Sequence, residues 1–142
     1  MRRVTINERD LICERLQFIK DKGGILPDGT DVATAWEGIE NYALEDRAYL
    51  HAGFLILFDT GRPWWNNKLT FYEQFVLKVK PTAQPELVPD ILENMARCLG
   101  CEAVVAGDAL AGKMTPFYER AGWVHLGTTL TKEITNVRRQ GG

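Results

Sequence analysis

Several groups of residues could carry chemistry by their type and spacing. Residues 69–96 read LTFYEQFVLKVKPTAQPELVPDILENMA, an alternating run, a proline-containing break, then apolar positions three or four apart. A strand, a short loop and a helix N-terminus bring free N–H groups and the positive end of a helix dipole together, a natural anion site. Cys98-Leu99-Gly100-Cys101 is a C-x-x-C, but it straddles a helix C-terminus. A redox pair needs the N-terminal end to lower a thiol pKa, and neither a second C-x-x-C nor a nearby histidine completes a zinc site. Both cysteines therefore read as buried and structural. His51 and His125 fall on separate strands with no third ligand, so no metal is expected. Trp64-Trp65 follows Pro63 in a polar loop. Two adjacent tryptophans do not easily both bury. One is expected to cap the core and the other to meet a protein partner or ligand, since tryptophan is enriched in binding hot spots; the alternative is packing within the loop.

The elements that must position these groups follow from periodicity. Val4-Thr5-Ile6 is a short strand candidate. Asn7 is placed to cap a helix with apolar positions Leu11, Ile12, Leu16 and Ile19, closed by Gly23-Gly24. Pro27-Asp28-Gly29 is a turn signal. Thr30 or Asp31 caps a second helix through Ala33, Trp36 and Ile39; residues 41–44 fit either its continuation or a strand. Residues 49–59 form one strong strand, in which Gly53 marks a bulge or a close backbone contact. Residues 60–68 are a loop. The strand at 69–79 places Leu69, Phe71, Glu73, Phe75, Leu77 and Val79 on one face. It pairs antiparallel with 49–59. A helix spans about residues 86–99, stopped by Gly100, and 101–106 is a buried strand. A short helix at 114–121 tolerates Pro116 in its first turn, and 123–134 holds one or two final strands. The helical crossover between 69–79 and 101–106 argues that those strands are parallel. The fold class is mixed α/β (α+β), a twisted sheet of about six to seven strands with helices on both faces.

The chain has 142 residues, 45% of them hydrophobic and 25% charged, which suits one domain over 1–142 with tails at 1–3 and 135–142. A net charge of −2 argues against nucleic acid as a partner. No apolar run approaches the roughly 18 residues of a membrane span, and the N-terminus has no signal-peptide pattern. Three cysteines fit a reducing compartment, so the expected location is the cytoplasm or a particle assembled there.

Two local sequences carry a resemblance. Val79-Lys80-Pro81-Thr82-Ala83-Gln84 resembles the V-x-P-x-x-[Q/R] of the GNAT family of acetyl-CoA-dependent N-acetyltransferases. Phe117-Tyr118-Glu119-Arg120-Ala121-Gly122-Trp123 resembles that family's Y-E-[K/R]-x-G-[F/Y/W]. The resemblance implies a single GNAT-like domain in which strands four and five splay apart around the pantetheine of acetyl-CoA. It assigns Glu73 as the base that deprotonates an amine and Tyr118 as the acid that protonates the leaving thiolate. Cofactor contacts fall to Leu77, Val79, Gln84, Glu86, Leu87 and Val88. The family's small loop residues are replaced by Pro85-Glu86-Leu87-Val88-Pro89, and the region 109–117 lacks the family asparagine and is about one turn short.

The segments PWWNN, LTFYEQFVLKV, CEAVVAGDALA and YERAGW are similar to small GNAT-like proteins of short-tailed phages, including internal virion proteins. Two expectations follow. One is an acyltransferase moving an acyl group from CoA to an amine. The other is a non-catalytic virion protein on the same fold, with a protein partner, a phage particle or a second copy docking at Trp64 and Trp65. The altered loop gives the second its weight.

Overall fold

Thr5, not Asn7, opens the first helical segment. Its hydroxyl accepts the Asn7 N–H at 3.3 Å, and the Thr5 N–H donates to Glu8 Oε2 at 2.9 Å. This reciprocal capping box starts a 3-10 turn, Ile6–Glu8, that runs into helix α1, Arg9–Lys22. The strand expected at residues 4–6 is displaced toward the start of the chain. Strand β1 is Arg2–Arg3, paired antiparallel with Tyr49 and Leu50, so residues 1–3 are not a free tail. The computed structural model describes residues 1–23, 26–27, 29–107, 113–126 and 132.

Asp31 caps helix α2, Val32–Leu44, by accepting the Thr34 N–H at 3.1 Å. Residues 41–44 therefore continue the helix. The strand expected over 49–59 is two strands, β2 (Ala48–His51) and β3 (Phe54–Gly61). They are joined by a turn in which Ala52 has φ 52° and Gly53 φ 86°. Two positive φ values in succession are what a two-residue hairpin with native twist requires. Gly53 also makes the close contact its sequence position suggests: a Cβ there would lie 2.8 Å from the Ala83 Cβ.

Strand β4, Thr70–Lys78, pairs antiparallel with β3, and β5, Ala103–Val105, joins β4 in parallel. Helix α3, Val88–Cys98, provides the crossover, preceded by a 3-10 turn at Pro85–Leu87. Helix α4 is Thr115–Arg120. The described sheet has five strands in the order β1-β2-β3-β4-β5, fewer than expected. Residues 123–126 form no strand, and the remainder of that expectation, like the expected tail at 135–142 and residues 109–112, lies outside the described residues.

One irregularity decides the layers. Leu57 pairs with Phe75 but Phe58 pairs with Glu73, so Gln74 is an extra residue on β4. A bulge of this kind switches which face the following side chains occupy. Phe71 packs with Phe58, Leu92 and Met95 beneath α3, whereas Leu77 and Val79 pack with Ile12, Leu16, Trp36 and Ile39 beneath α1 and α2. The single apolar face read from the alternation at 69–79 is thus two half-faces, one on each side of the sheet. Helices do cover both faces, with α1 and α2 on one and α3 on the other. No helix of the described residues is long and apolar enough to cross a membrane.

Candidate active site

β4 and β5 are paired only through Thr70↔Ala103, Phe71↔Val104 and Tyr72↔Val105. β4 runs on to Lys78 while β5 stops, and the bulge at Gln74 bends β4 just where the two part. The result is a cavity of about 730 Å³ between the diverging strands, lined by the β4 residues from Glu73 to Lys78 and by Pro85, Val88, Gly107, Tyr118 and Arg15. A smaller cavity of about 460 Å³ lies across β5, between α4 and the loop that carries Trp65. Gly107 and Tyr118 line both.

Glu73 is the first β4 residue beyond the last rung with β5. The Gly107 N–H donates to its Oε2 at 3.1 Å. Burial pushes the Glu73 carboxyl above its ordinary range, and the Gly107 bond offsets this in part. A carboxylate held by one N–H in a largely apolar pocket keeps a raised proton affinity, which is what a base near neutral pH requires. Tyr118 stands on the short helix α4, with its ring edge against Trp123 at 4.8 Å between centroids.

The structure thus brings Glu73, Leu77, Val88 and Tyr118 to one cavity. Val79 is buried in the core beneath α1 and α2, and Gln84, Glu86 and Leu87 are exposed on the loop without lining that cavity. The loop uses much of its own hydrogen-bonding capacity. The Lys80 N–H goes to the Gly53 carbonyl, the Ala83 N–H to Lys80, the Leu87 N–H to Gln84 and the Val88 N–H to Pro85. Pro81, Pro85 and Pro89 have no N–H to give.

The remaining candidates separate from this site. Trp64 and Trp65 are 92% and 56% exposed, stacked edge to face. Neither caps the core, because the loop places both rings outside the sheet's packed faces. Cys98 is exposed and only Cys101 is partly buried, so the expected buried pair is not formed; all the cysteines are free thiols. Among the described residues no cluster of three His, Cys, Asp or Glu could hold a metal.

Two site residues escaped the sequence reading. Gly107 follows β5 and carries no motif. Arg15 lies on α1, and its Nε donates to the Lys78 carbonyl at 3.3 Å. A signal for it existed: Arg15 stands three residues after Ile12 and four before Ile19, on the stripe that faces the core.

A mixed sheet whose fourth and fifth strands part, with helices on both faces, is the arrangement of the GNAT fold. Solved structures share it. A predicted acetyltransferase from Clostridium acetobutylicum, solved with acetyl-CoA, aligns with TM-score 0.64 at 16% identity, covering 97% of each chain. A GNAT family acetyltransferase of Staphylococcus aureus aligns with TM-score 0.61 at 12% identity, covering 94% of this chain and 96% of its own. A possible acetyltransferase from Clostridium difficile 630 gives 0.63 at 13%, covering 94% and 95%. No family model matches the sequence, and no curated protein does.

Proposed function

We propose that the protein is an acyl-CoA-dependent N-acyltransferase with Glu73 as its base. The observation that carries this reading is the carboxyl of Glu73 at the point where β4 and β5 part, in the same cavity as Tyr118. A thioester donor fits the cavity's shape and chemistry. Apolar walls from Leu77 and Val88 suit the pantetheine arm, and the edge of β4 beyond Tyr72, unpaired by β5, offers backbone groups to its amides. Acetyl-CoA, when bound, supplies an activated acyl group.

The protein's own residues then manage protons. A protonated amine cannot act as a nucleophile, so its proton must leave. Glu73, with its raised proton affinity, accepts it. Tyr118, which lines the same cavity, is the candidate donor to a departing thiolate. The test is calorimetric titration with acetyl-CoA, followed by a thiol-release assay over a panel of amines. Micromolar binding and amine-dependent thiol release are expected; no binding at millimolar acetyl-CoA would sink the reading.

A second reading has its own support. Trp64 and Trp65 project from the loop after β3, and the loop before α3 keeps few N–H groups for a pyrophosphate while adding the charge of Glu86. These features favour a non-catalytic interaction protein on the same fold, such as a component of a phage particle, that meets a protein partner through the tryptophan pair. That reading requires copurification with an assembly in which Trp64 or Trp65 becomes buried; a free monomer throughout would end it.

A further inference from the structure

If the site takes an acyl-CoA, its loop leaves the anionic end of the ligand poorly served, and the structure holds a substitute. Arg15 reaches the cavity from α1, and Lys78, paired with Phe54 on the α3 face, lines it at the far end of β4. The Val79 N–H is taken by the Gly53 carbonyl on the β3 side. Adjacent residues of a strand direct their backbone groups to opposite edges, so the Lys78 carbonyl faces the open edge of β4. That carbonyl accepts the Arg15 Nε–H at 3.3 Å, which fixes the guanidinium at the mouth of the cleft.

The head of Arg15 is held on a second side by Phe18, whose ring centroid lies 4.8 Å from Cζ. With Nε engaged, the terminal guanidinium nitrogens keep their fork of donors for an oxyanion. Among the described residues neither Arg15 nor Lys78 takes part in an ion pair. Among the described residues the only carboxylate lining the cavity is Glu73, at the end where β4 leaves β5.

We infer that the Arg15 guanidinium forms an oxyanion site at the mouth of the β4–β5 cleft. In it, a side-chain cation replaces the backbone N–H groups that Pro85, Pro89 and the internal bonds of the loop withdraw. The oxyanion is either the pyrophosphate of an acyl-CoA or a carboxylate on the acceptor. This inference rests on the acyltransferase reading for its ligand but not for its test.

The Nε–H resonance of Arg15 is followed by NMR while inorganic pyrophosphate, and separately acetate, is added to the full chain. Movement of that resonance in the wild type, assigned by its disappearance in Arg15→Gln, is expected; no movement with either anion overturns the inference. Calorimetry with acetyl-CoA and with S-acetylpantetheine, which lacks phosphate, separates the sources. For the pyrophosphate, Arg15→Gln weakens acetyl-CoA about tenfold and leaves S-acetylpantetheine unchanged. For an acceptor carboxylate, acetyl-CoA affinity holds and only the KM of carboxylated amines rises. Arg15→Lys, which keeps the charge but loses the fork, serves as the folding control. Should pyrophosphate bind but acetyl-CoA fail, the acyltransferase reading falls and the anion site stands.

Discussion

Glu73 and Gly107 face each other where β4 leaves β5, the glycine N–H donating to the carboxylate at 3.1 Å. That single bond does not offset the cost of burial, so the carboxyl stays above its ordinary value of 4.5. A raised folded pKa means the contribution to stability is full below the unfolded value and is lost as pH rises through the folded one. Glu73→Gln, whose amide oxygen still accepts the Gly107 N–H, is therefore expected to melt above the wild type at neutral pH. The gain should vanish on acidification toward pH 4.5. The same variant should lose activity on the order of a hundredfold or more. Melting curves across pH and turnover on one preparation check both.

Gly53 and Gly38 make a matched pair. Gly53 has φ +86° and no room for a Cβ beside Ala83. Gly53→Ala should cost roughly 1–3 kcal/mol or more in urea unfolding, combining backbone strain with a clash. Gly38 lies inside α2 with nothing within 4 Å of an added Cβ. Gly38→Ala should stabilise by about 0.5–1 kcal/mol.

The tryptophans divide by burial. Trp36 is 5% exposed in the core beneath α1 and α2, and Trp64 is 92% exposed. Trp36→Ala should cost about 3–5 kcal/mol, while Trp64→Ala stays within about 0.5 kcal/mol. An unfolding cost at Trp64 comparable to that at Trp36 would contradict the exposed placement.

Glu8 gives the opposite pH signature to Glu73. Burial by itself would raise its carboxyl, but the Thr5 hydroxyl, Arg2 and the Thr5 N–H together hold it below the ordinary 4.5. Its stabilisation is present above that value and is lost as pH falls through the folded one. Glu8→Gln should thus be less stable than the wild type at neutral pH, by about 1–3 kcal/mol, with the difference closing in acid.

Most helices were legible because their apolar positions recur at helical spacing and their ends carry ordinary signals: Asp31, Pro116, Gly23, Gly100. The hairpin at Ala52-Gly53 was hidden because alanine rarely occupies positive φ, so no Asn-Gly signal divided residues 49–59. The bulge at Gln74 was hidden for a different reason: the polar and apolar residues alternate straight through it, and only pairing with β3 reveals the extra residue. β1 is two arginines, with no apolar pattern to read. At the site, Glu73 and Tyr118 came from local resemblance. Arg15 did not, because a polar residue on a helix stripe is ordinarily read as solvated, and only the tertiary approach of α1 to Lys78 gives it a role.

The strands stand in the sheet in the order in which they occur in the chain. Contacts between β2, β3 and β4 therefore close short loops, and short loops form quickly at little entropic cost. β5 has a different history: it must wait for the α3 crossover and then gains only three rungs. The β2-β3-β4 meander is expected to assemble early and the β4–β5 pairing after it, so that the cleft closes later than the meander and opens before it. Amide exchange should be faster at the β5 rungs than where β3 meets β4, leaving the cleft free to breathe without unfolding the protein that carries it.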